Sequence, residues 1–380
     1  MSKPSQYNSY DLTVGVIVEM EPMIQMLSPF DVPLLGQNGA EGGTAITQGT
    51  CYEKKVEWLD EELLLPVCAV AEDLDNSETG VDVAAGDILR FSVGDVIQIG
   101  SEKMLVSAIS SPTLTVTRGA FSSTAATHTT GDKIRILGQA LPEGSDPEAP
   151  RAKDRVGRYN YTQIFGPTAV RVSGTENVVK KYGLNGITEF DKQVGNRTKE
   201  QLIQLEQAII YGKASAGSQG SGTDIRTMGG FTDFITTNVD SSTTTITEAK
   251  LIDQMQAIFD YGGAADRLLV GATQKRRISA LNTTGGGTLT VEAMRTDNAR
   301  GQVINYIDCD FGRISVLLDR WVAVNDAFLF NRDQVELCTL RPLQFEMLAK
   351  TGDSIAGQIV QERTLKFFRE RHAARFSALT

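Results

Sequence analysis

The sequence predicts an α+β fold that carries a small inserted all-β domain. Residues 160–211, NYTQIFGPTAVRVSGTENVVKKYGLNGITEFDKQVGNRTKEQLIQLEQAIIY, pass from an extended run into a short helix and then one long amphipathic helix. Residues 72–138 hold short β-runs at close intervals. The remaining helices and strands are mixed with few βαβ repeats, which is the α+β pattern.

Taken in order, residues 1–50 are mixed and become Gly-rich toward Gly49; a short helical piece over 21–27 stops at Pro29, and the rest predicts an extended arm. Residues 51–66 predict a strand: Val56 and Trp58 alternate with Glu57, and Pro66 ends the run. Within 72–138, β-runs at 88–91, 96–99, 104–109, 114–117 and 134–137 are separated by turn residues such as Gly94-Asp95, Gly100, Gly119 and Gly131-Asp132. That spacing predicts a small antiparallel barrel or sandwich. Pro142, Pro147 and Pro150 then mark an exit linker.

Val170 and Val172 alternate with Arg171 at strand period. Thr175 is placed to cap a first helical turn and Gly183 to end it, while Thr188 caps the long helix. Ile187, Phe190, Val194, Thr198, Leu202, Leu205 and Ile209 recur at three- and four-residue steps and make one stripe. At about 1.5 Å per residue the helix runs roughly 33 Å. Residues 214–223, ASAGSQGSGT, are loop. Thr245 and Glu248 form a capping box for a helix whose apolar face is Leu251, Ile252, Met255, Ile258 and Phe259, ending at Gly262-Gly263. A strand at 268–270, a helix capped by Thr273, and strands at 303–307, 314–318, 328–330, 335–340 and 359–368 follow, with the loop NTTGGGT at 282–288.

These residues carry a family resemblance. NYTQIF, VSGT, LEQAIIYGK and RTMGGF, with FDVPLL at 30–35, VEWLDEELLLP at 56–66, FGRISVLLDRW at 311–321 and LAKTGDSIAGQIVQERTL at 348–365, occur in the order seen in tailed-bacteriophage major capsid proteins of the HK97 fold. The chain resembles the branch with a β-rich insertion in its extended loop. The resemblance implies an N-terminal arm at 1–50 and a first extended-loop strand at 51–71. The inserted domain follows at 72–138, then a linker and second strand at 139–174. A peripheral domain at 175–245 holds a spine helix at 188–211. An axial domain at 246–310 and C-terminal peripheral strands at 311–380 complete the chain. Residues 51–66 would pair with 158–174, and both would lie on neighbouring subunits. That placement makes Trp58, Asp60, Glu61, Glu62, Arg158, Tyr161 and Arg171 candidate inter-subunit contacts.

A chain of 380 residues with 41% hydrophobic and 22% charged side chains can bury a full core. Its net charge of −10 argues against direct nucleic-acid binding, since a phosphate-tracking surface is basic. A container lining that must not grip its contents is compatible with that charge. The four cysteines, Cys51, Cys68, Cys309 and Cys338, lack metal or redox spacing and suit buried small hydrophobes. No secretory signal or membrane-length apolar run occurs.

No phosphate loop, dinucleotide fingerprint, zinc-protease helix or nucleophile elbow is present. His128 and His372, the two histidines, sit in a Ser/Thr-rich turn and a basic tail, so no triad is expected. Asp60, Glu61 and Glu62 suit a solvated or inter-subunit ion-pairing patch better than an acid pair, because adjacent strand residues face opposite ways. Asp73, Asp75, Ser77 and Glu78 lack the glycine and the final glutamate of a calcium loop and suit an acidic turn. Lys275, Arg276 and Arg277 form the only three-residue basic run and suit a solvated or subunit-facing helix edge.

No enzyme activity, cofactor or metal is therefore expected. The resemblance implies a major capsid protein that forms hexamers and pentamers in an icosahedral phage head around double-stranded DNA. Scaffolding, portal and decoration proteins would be its partners, and the host cytoplasm its place of assembly. An encapsulin-like compartment protein is the first alternative, and a carbohydrate-binding or adhesin protein, suggested only by the β-module, is the second.

Overall fold

The structure, a computed structural model, describes residues 28, 30–36, 45–61, 63–140, 143–144, 155–181, 186–217, 225–281 and 306–380. The expected helical piece at 21–27, the helix stop at Gly183, the prolines of the exit linker and the loop at 282–288 lie outside these residues. The chain divides into two compact units, one made of Met1–Glu57 with Tyr159–Thr380 and the other of Trp58–Arg158.

The unit Trp58–Arg158 is a six-stranded antiparallel sheet. Its order is Val67–Ala69, Lys133–Gln139, Asp95–Ile99, Glu102–Ser110, Thr113–Thr117 and Gly80–Asp82. A bridge between Val70 and Val83 and a bond from Ala71 N–H to the Asp82 carbonyl (2.8 Å) join its two edges, so the sheet closes on itself. Closure leaves no long unpaired edge. Alternation sends Ile97, Ile99, Met104, Val106, Leu114, Val116 and Ile134 inside, where they pack with Val70, Val81, Val83 and Phe91. Two expectations fail here. Residues 88–91 are not a strand: Ile88–Arg90 is a 3-10 turn, drawn tight by the Arg90–Asp87 ion pair at 2.7 Å. Residues 67–69, expected in the extended loop, belong to the barrel because they pair with 133–135.

One buried carboxylate ties the barrel's loops together. Glu102 accepts from Arg118 Nε (2.7 Å) and Nη2 (2.9 Å), Gly119 N–H (3.1 Å) and Ala126 N–H (3.0 Å), and lies 3.0 Å from His128 Nε2. Arg118 also donates to the carbonyls of Asp75, Glu78 and Ala126. Burial pushes Glu102 upward, but Arg118 and the other donors outweigh it and hold the carboxyl at about 2.

The other unit contains two sheets and the longer helices. The first sheet orders Thr47–Thr50, Val335–Met347, Ser354–Phe367 and Gln163–Ser173, with only the first pair parallel. Its central hairpin extends well past the expected strands. Proline and charge over 341–346 hid that extension, and register shifts between Thr339 and Gln344 accommodate Pro342. The second sheet orders Val239–Asp240, Ala374–Phe376, Ala327–Phe330, Arg267–Val270, Gly312–Leu318 and Tyr306–Cys309. Its core joins Leu268, Val270, Ile314, Leu329 and Phe376 to Leu251, Met255 and Ile258 of the helix Glu248–Asp260 and to Ile278 of the helix Ala272–Leu281. Phe231 is fully buried against Phe328, Phe330 and Phe367, with ring centroids 5.8, 5.0 and 5.6 Å away.

The long helix runs Glu189–Tyr211, capped by Thr188, whose hydroxyl accepts from Asp191 N–H at 3.2 Å. It buries Phe190, Leu205, Ile209 and Ile210 but also the polar Gln201 and Glu206; Ile187 lies outside the helix and is exposed. Gln201 Nε2 donates to Thr168 Oγ1 and the Ile359 carbonyl, fixing the helix to the first sheet. Three caps sit elsewhere than expected. Ser173 rather than Thr175 caps Gly174–Val178, Thr247 rather than Thr245 caps Glu248–Asp260, and Thr273 falls inside its helix. Phe259 is exposed and meets the Phe311 ring at 5.3 Å, because the helix turns it past the sheet.

The strands Lys55–Asp60 and Val156–Tyr161 pair as a separate two-stranded sheet. The expected long hairpin of 51–66 with 158–174 is thereby corrected: Gln163–Ser173 pairs with Ser354–Phe367 instead. Asn160 and Thr162 make the corner. Buried Asn160 donates to the Gly229 and Leu365 carbonyls, and the Thr162 hydroxyl donates to Glu362 Oε1 at 2.7 Å. Past that corner Phe165, Val170 and Val172 are buried, so the strand is committed to the main body.

Candidate assembly surface

The charged candidates on the two-stranded sheet pair locally. Arg158 Nε lies 3.7 Å from Asp60 Oδ2, and Arg155 Nε lies 3.5 Å from Glu61 Oε1. The Arg155–Glu61 pair is exposed on both sides, and exposed pairs of this kind contribute roughly 0–1 kcal/mol. Trp58 is buried, whereas Leu59 (65% exposed), Leu63 (79%) and Val156 are open to solvent. In the other unit Tyr52 is 88% exposed and Tyr159 half exposed. The Tyr159 ring packs edge-on against Tyr161, 5.7 Å between centroids, with Lys55 Nζ 4.6 Å from its face. Glu62 lies outside the described residues.

The other candidates are not brought together with these. Arg171 is exposed on the strand Gln163–Ser173 and donates to Ser354 Oγ at 3.0 Å. It lines an open groove of about 380 Å³ with Glu176, Glu189, Gln193 and Arg197. On the helix Ala272–Leu281 the basic run splits by face: Arg276 is exposed, Arg277 donates to the Thr244 carbonyl at 3.3 Å, and Lys275 is half-buried. Burial lowers the Lys275 ammonium to about 8, so this part of the basic run is not fully solvated in the subunit.

The acidic turn is a set of side-chain-capped loops. Asp75 Oδ1 accepts from Ser77 N–H and Glu78 N–H, and Asp73 Oδ1 accepts from Thr130 N–H, each at 2.7 Å. Among the described residues no group of three His, Cys, Asp or Glu side chains is placed to hold a metal ion, and no helix is long and apolar enough to cross a membrane. The cysteines are free, two buried and two half-buried. Sequence reasoning missed the buried polar groups Glu102, His128, Gln201, Glu206 and Asp319. Nothing local in the sequence marks Glu102, His128, Gln201 and Glu206, whose partners are distant in the chain, and the Asp319 carboxyl bonds only the nearby Trp321 N–H among the described residues.

Comparison with known proteins decides what this arrangement serves. The family model of the SU10 major capsid protein matches residues 5–380. The chain belongs to the SU10 major capsid protein family. It is a structural protein of a phage capsid, and its place is the virion shell. No curated protein matches it. Among solved structures, the capsid of an empty GTA particle is similar with a TM-score of 0.52 at 8% identity, covering 98% of this chain and all of that one (100%). The capsid of Myoviridae phage XM1 matches at 0.48 and 10% identity over 96% and 100%. The SrpI encapsulin of Synechococcus elongatus PCC 7942 matches at 0.43 and 8% identity over 60% and 78%. The SU10-family subunit thus has the HK97-like capsid fold implied by its motifs, and capsid subunits of this family build multi-subunit shells.

Proposed function

We propose that this subunit assembles as hexamers and pentamers into a closed icosahedral head around double-stranded DNA, through contacts made by its two-stranded sheet. The observation that carries the reading is the exposure of Leu59, Leu63 and Val156, in or beside an isolated pair of strands. A two-stranded sheet is marginal in water and gains stability when a neighbour covers it. Heterologous contacts that close into rings generate such capsomers.

On this reading 1–50 act as an arm, 67–139 as an inserted domain, 175–245 and 311–380 as a peripheral domain and 246–310 as an axial domain. Arg171 and Arg276 face neighbouring subunits. Scaffolding, portal and decoration proteins take part, and assembly occurs in the host cytoplasm. DNA is enclosed without specific binding, in keeping with the net charge of −10. The test is electron microscopy of the purified protein at high concentration, with and without Leu59→Asp. Shells from the wild type and none from the variant support the contact. Shells from both remove the two-stranded sheet from the interface, and a wild type that forms no shells even when co-expressed with its scaffolding protein overturns the reading. Nuclease-resistant DNA in particles from infected cells separates a phage head from a cargo compartment.

A further inference from the structure

Residues 31–36 lie against the long helix through a buried carboxyl. Val32 and Leu34 are fully buried. Leu34 N–H donates to Glu206 Oε1 at 2.8 Å, and Leu35 N–H bonds the same carboxyl. On the far side of the segment, the Trp321 indole N–H donates to the Asp31 carbonyl at 2.7 Å. Glu206 is fully buried, and its Oε2 has no hydrogen-bond partner among the described residues. Asp319 is also fully buried; its Oδ1 accepts from Trp321 N–H, and its Oδ2 has no partner among the described residues. Neither carboxyl forms an ion pair among the described residues.

The charged groups around this point are mostly acidic. Asp31 comes from the segment and Asp319 from beyond the strand Gly312–Leu318, and both disfavour charge on Glu206. Arg320 lies 3.7 Å from Asp31 and is largely exposed, and Lys199 of the long helix sits 5.7 Å over the Phe30 ring. A negative charge on Glu206 would therefore be buried, with one oxygen unsolvated and without a counter-ion. An uncompensated buried charge of that kind is among the most costly features a core can hold.

We propose that Glu206 is a proton-dependent latch, whose neutral form holds residues 31–36 on the long helix and whose ionisation releases them. Burial, aided by the two neighbouring carboxyls, raises Glu206 from 4.5 to about 9 when the segment is docked. Release exposes the carboxyl and returns it to its ordinary range, so docking takes up a proton at neutral pH. Docking is at full strength below the ordinary carboxylate range. It weakens up to tenfold for each pH unit above that range, and the contribution is gone near pH 9, where the docked form ionises as well. Asp319, raised by burial to about 6, adds to the same trend at its acid end.

The test is hydrogen exchange of the unassembled full-length subunit from pH 6 to 9, corrected for the intrinsic pH dependence of exchange. Protection of residues 31–36 is expected to fall up to tenfold per pH unit in the wild type. It should be independent of pH in Glu206→Gln, which keeps an acceptor for Leu34 but cannot ionise. A flat wild-type profile, or an unchanged slope in the variant, overturns the latch. Should Glu206→Gln fail to fold, Trp321 fluorescence in the Trp58→Phe background decides. A transition between pH 6 and 9 upholds the proposal, and a flat profile over that range refutes it.

Discussion

Replacing Glu102 by glutamine probes how the barrel is held closed. Glu102 is fully buried and binds Arg118 through both oxygens, with Gly119, Ala126 and His128 completing the set. The carboxyl is held at about 2 instead of 4.5, which at about 1.4 kcal/mol per pH unit corresponds to roughly 3 kcal/mol at neutral pH. The sign is that of a depressed acid: the stabilisation is present above pH 4.5 and is lost as pH falls toward 2. Glutamine removes the charge and leaves Arg118 buried without its counter-ion, a loss on the order of 3–5 kcal/mol by an independent route. The two figures agree in scale, because Arg118 keeps its three carbonyl acceptors. For a domain of about 100 residues the change lowers the melting temperature by something like 15 °C. Calorimetry of the full chain at pH 7 and pH 3 measures it. In the wild type the barrel transition should drop steeply between these pH values, and in Glu102→Gln it should start low and drop little. Equal pH dependence in both proteins would show that the network contributes no net stability.

Three further outcomes are expected. Phe231→Ala should cost about 3–5 kcal/mol, because it empties the space between Phe328, Phe330 and Phe367; urea unfolding measures the loss, and a shift under 1 kcal/mol would show that the site collapses freely. Replacing 67–139, the barrel strands from Val67 to Gln139, with a short Gly/Ser linker should leave the main unit folded by circular dichroism, with shell formation scored by negative stain, and a wholly unfolded product would make the insert part of the main core. Free subunits should not retain duplex DNA in a gel shift at physiological salt, and tight, sequence-dependent retention would contradict the argument from a net charge of −10.

The elements that the sequence made legible share a physical signature: a local apolar pattern with its own cap or turn. The long helix announces itself through Thr188 and the spacing of Phe190, Leu205 and Ile209, and the barrel through short β-runs between glycine turns. Strand partnership was not legible. Val156–Tyr161 and Gln163–Ser173 read as one strand, and only the buried anchors Asn160 and Thr162, whose partners lie as far off as Leu365 and Glu362, divide them between two sheets. The candidate contacts were legible as charge and aromaticity, but not as pairs; Asp60 and Arg158 meet only because two strands about a hundred residues apart lie side by side. Buried polar residues defeat pattern reasoning outright, since Glu206 and Gln201 look like the solvent face of a helix until their acceptors and donors are known.

The strand Thr47–Thr50 bonds only to Val335–Met347 within its sheet, and Ala374–Phe376 sits between Val239–Asp240 and Ala327–Phe330 in the other. Neither sheet can therefore be completed before the strands Ser354–Phe367 and Ala374–Phe376 have joined. The barrel is contiguous in sequence and has its own core, whereas the main unit draws its strands from both sides of it. The barrel can therefore order independently of the main unit, whose two sheets each join strands from widely separated parts of the sequence and so are closed by contacts of long sequence separation.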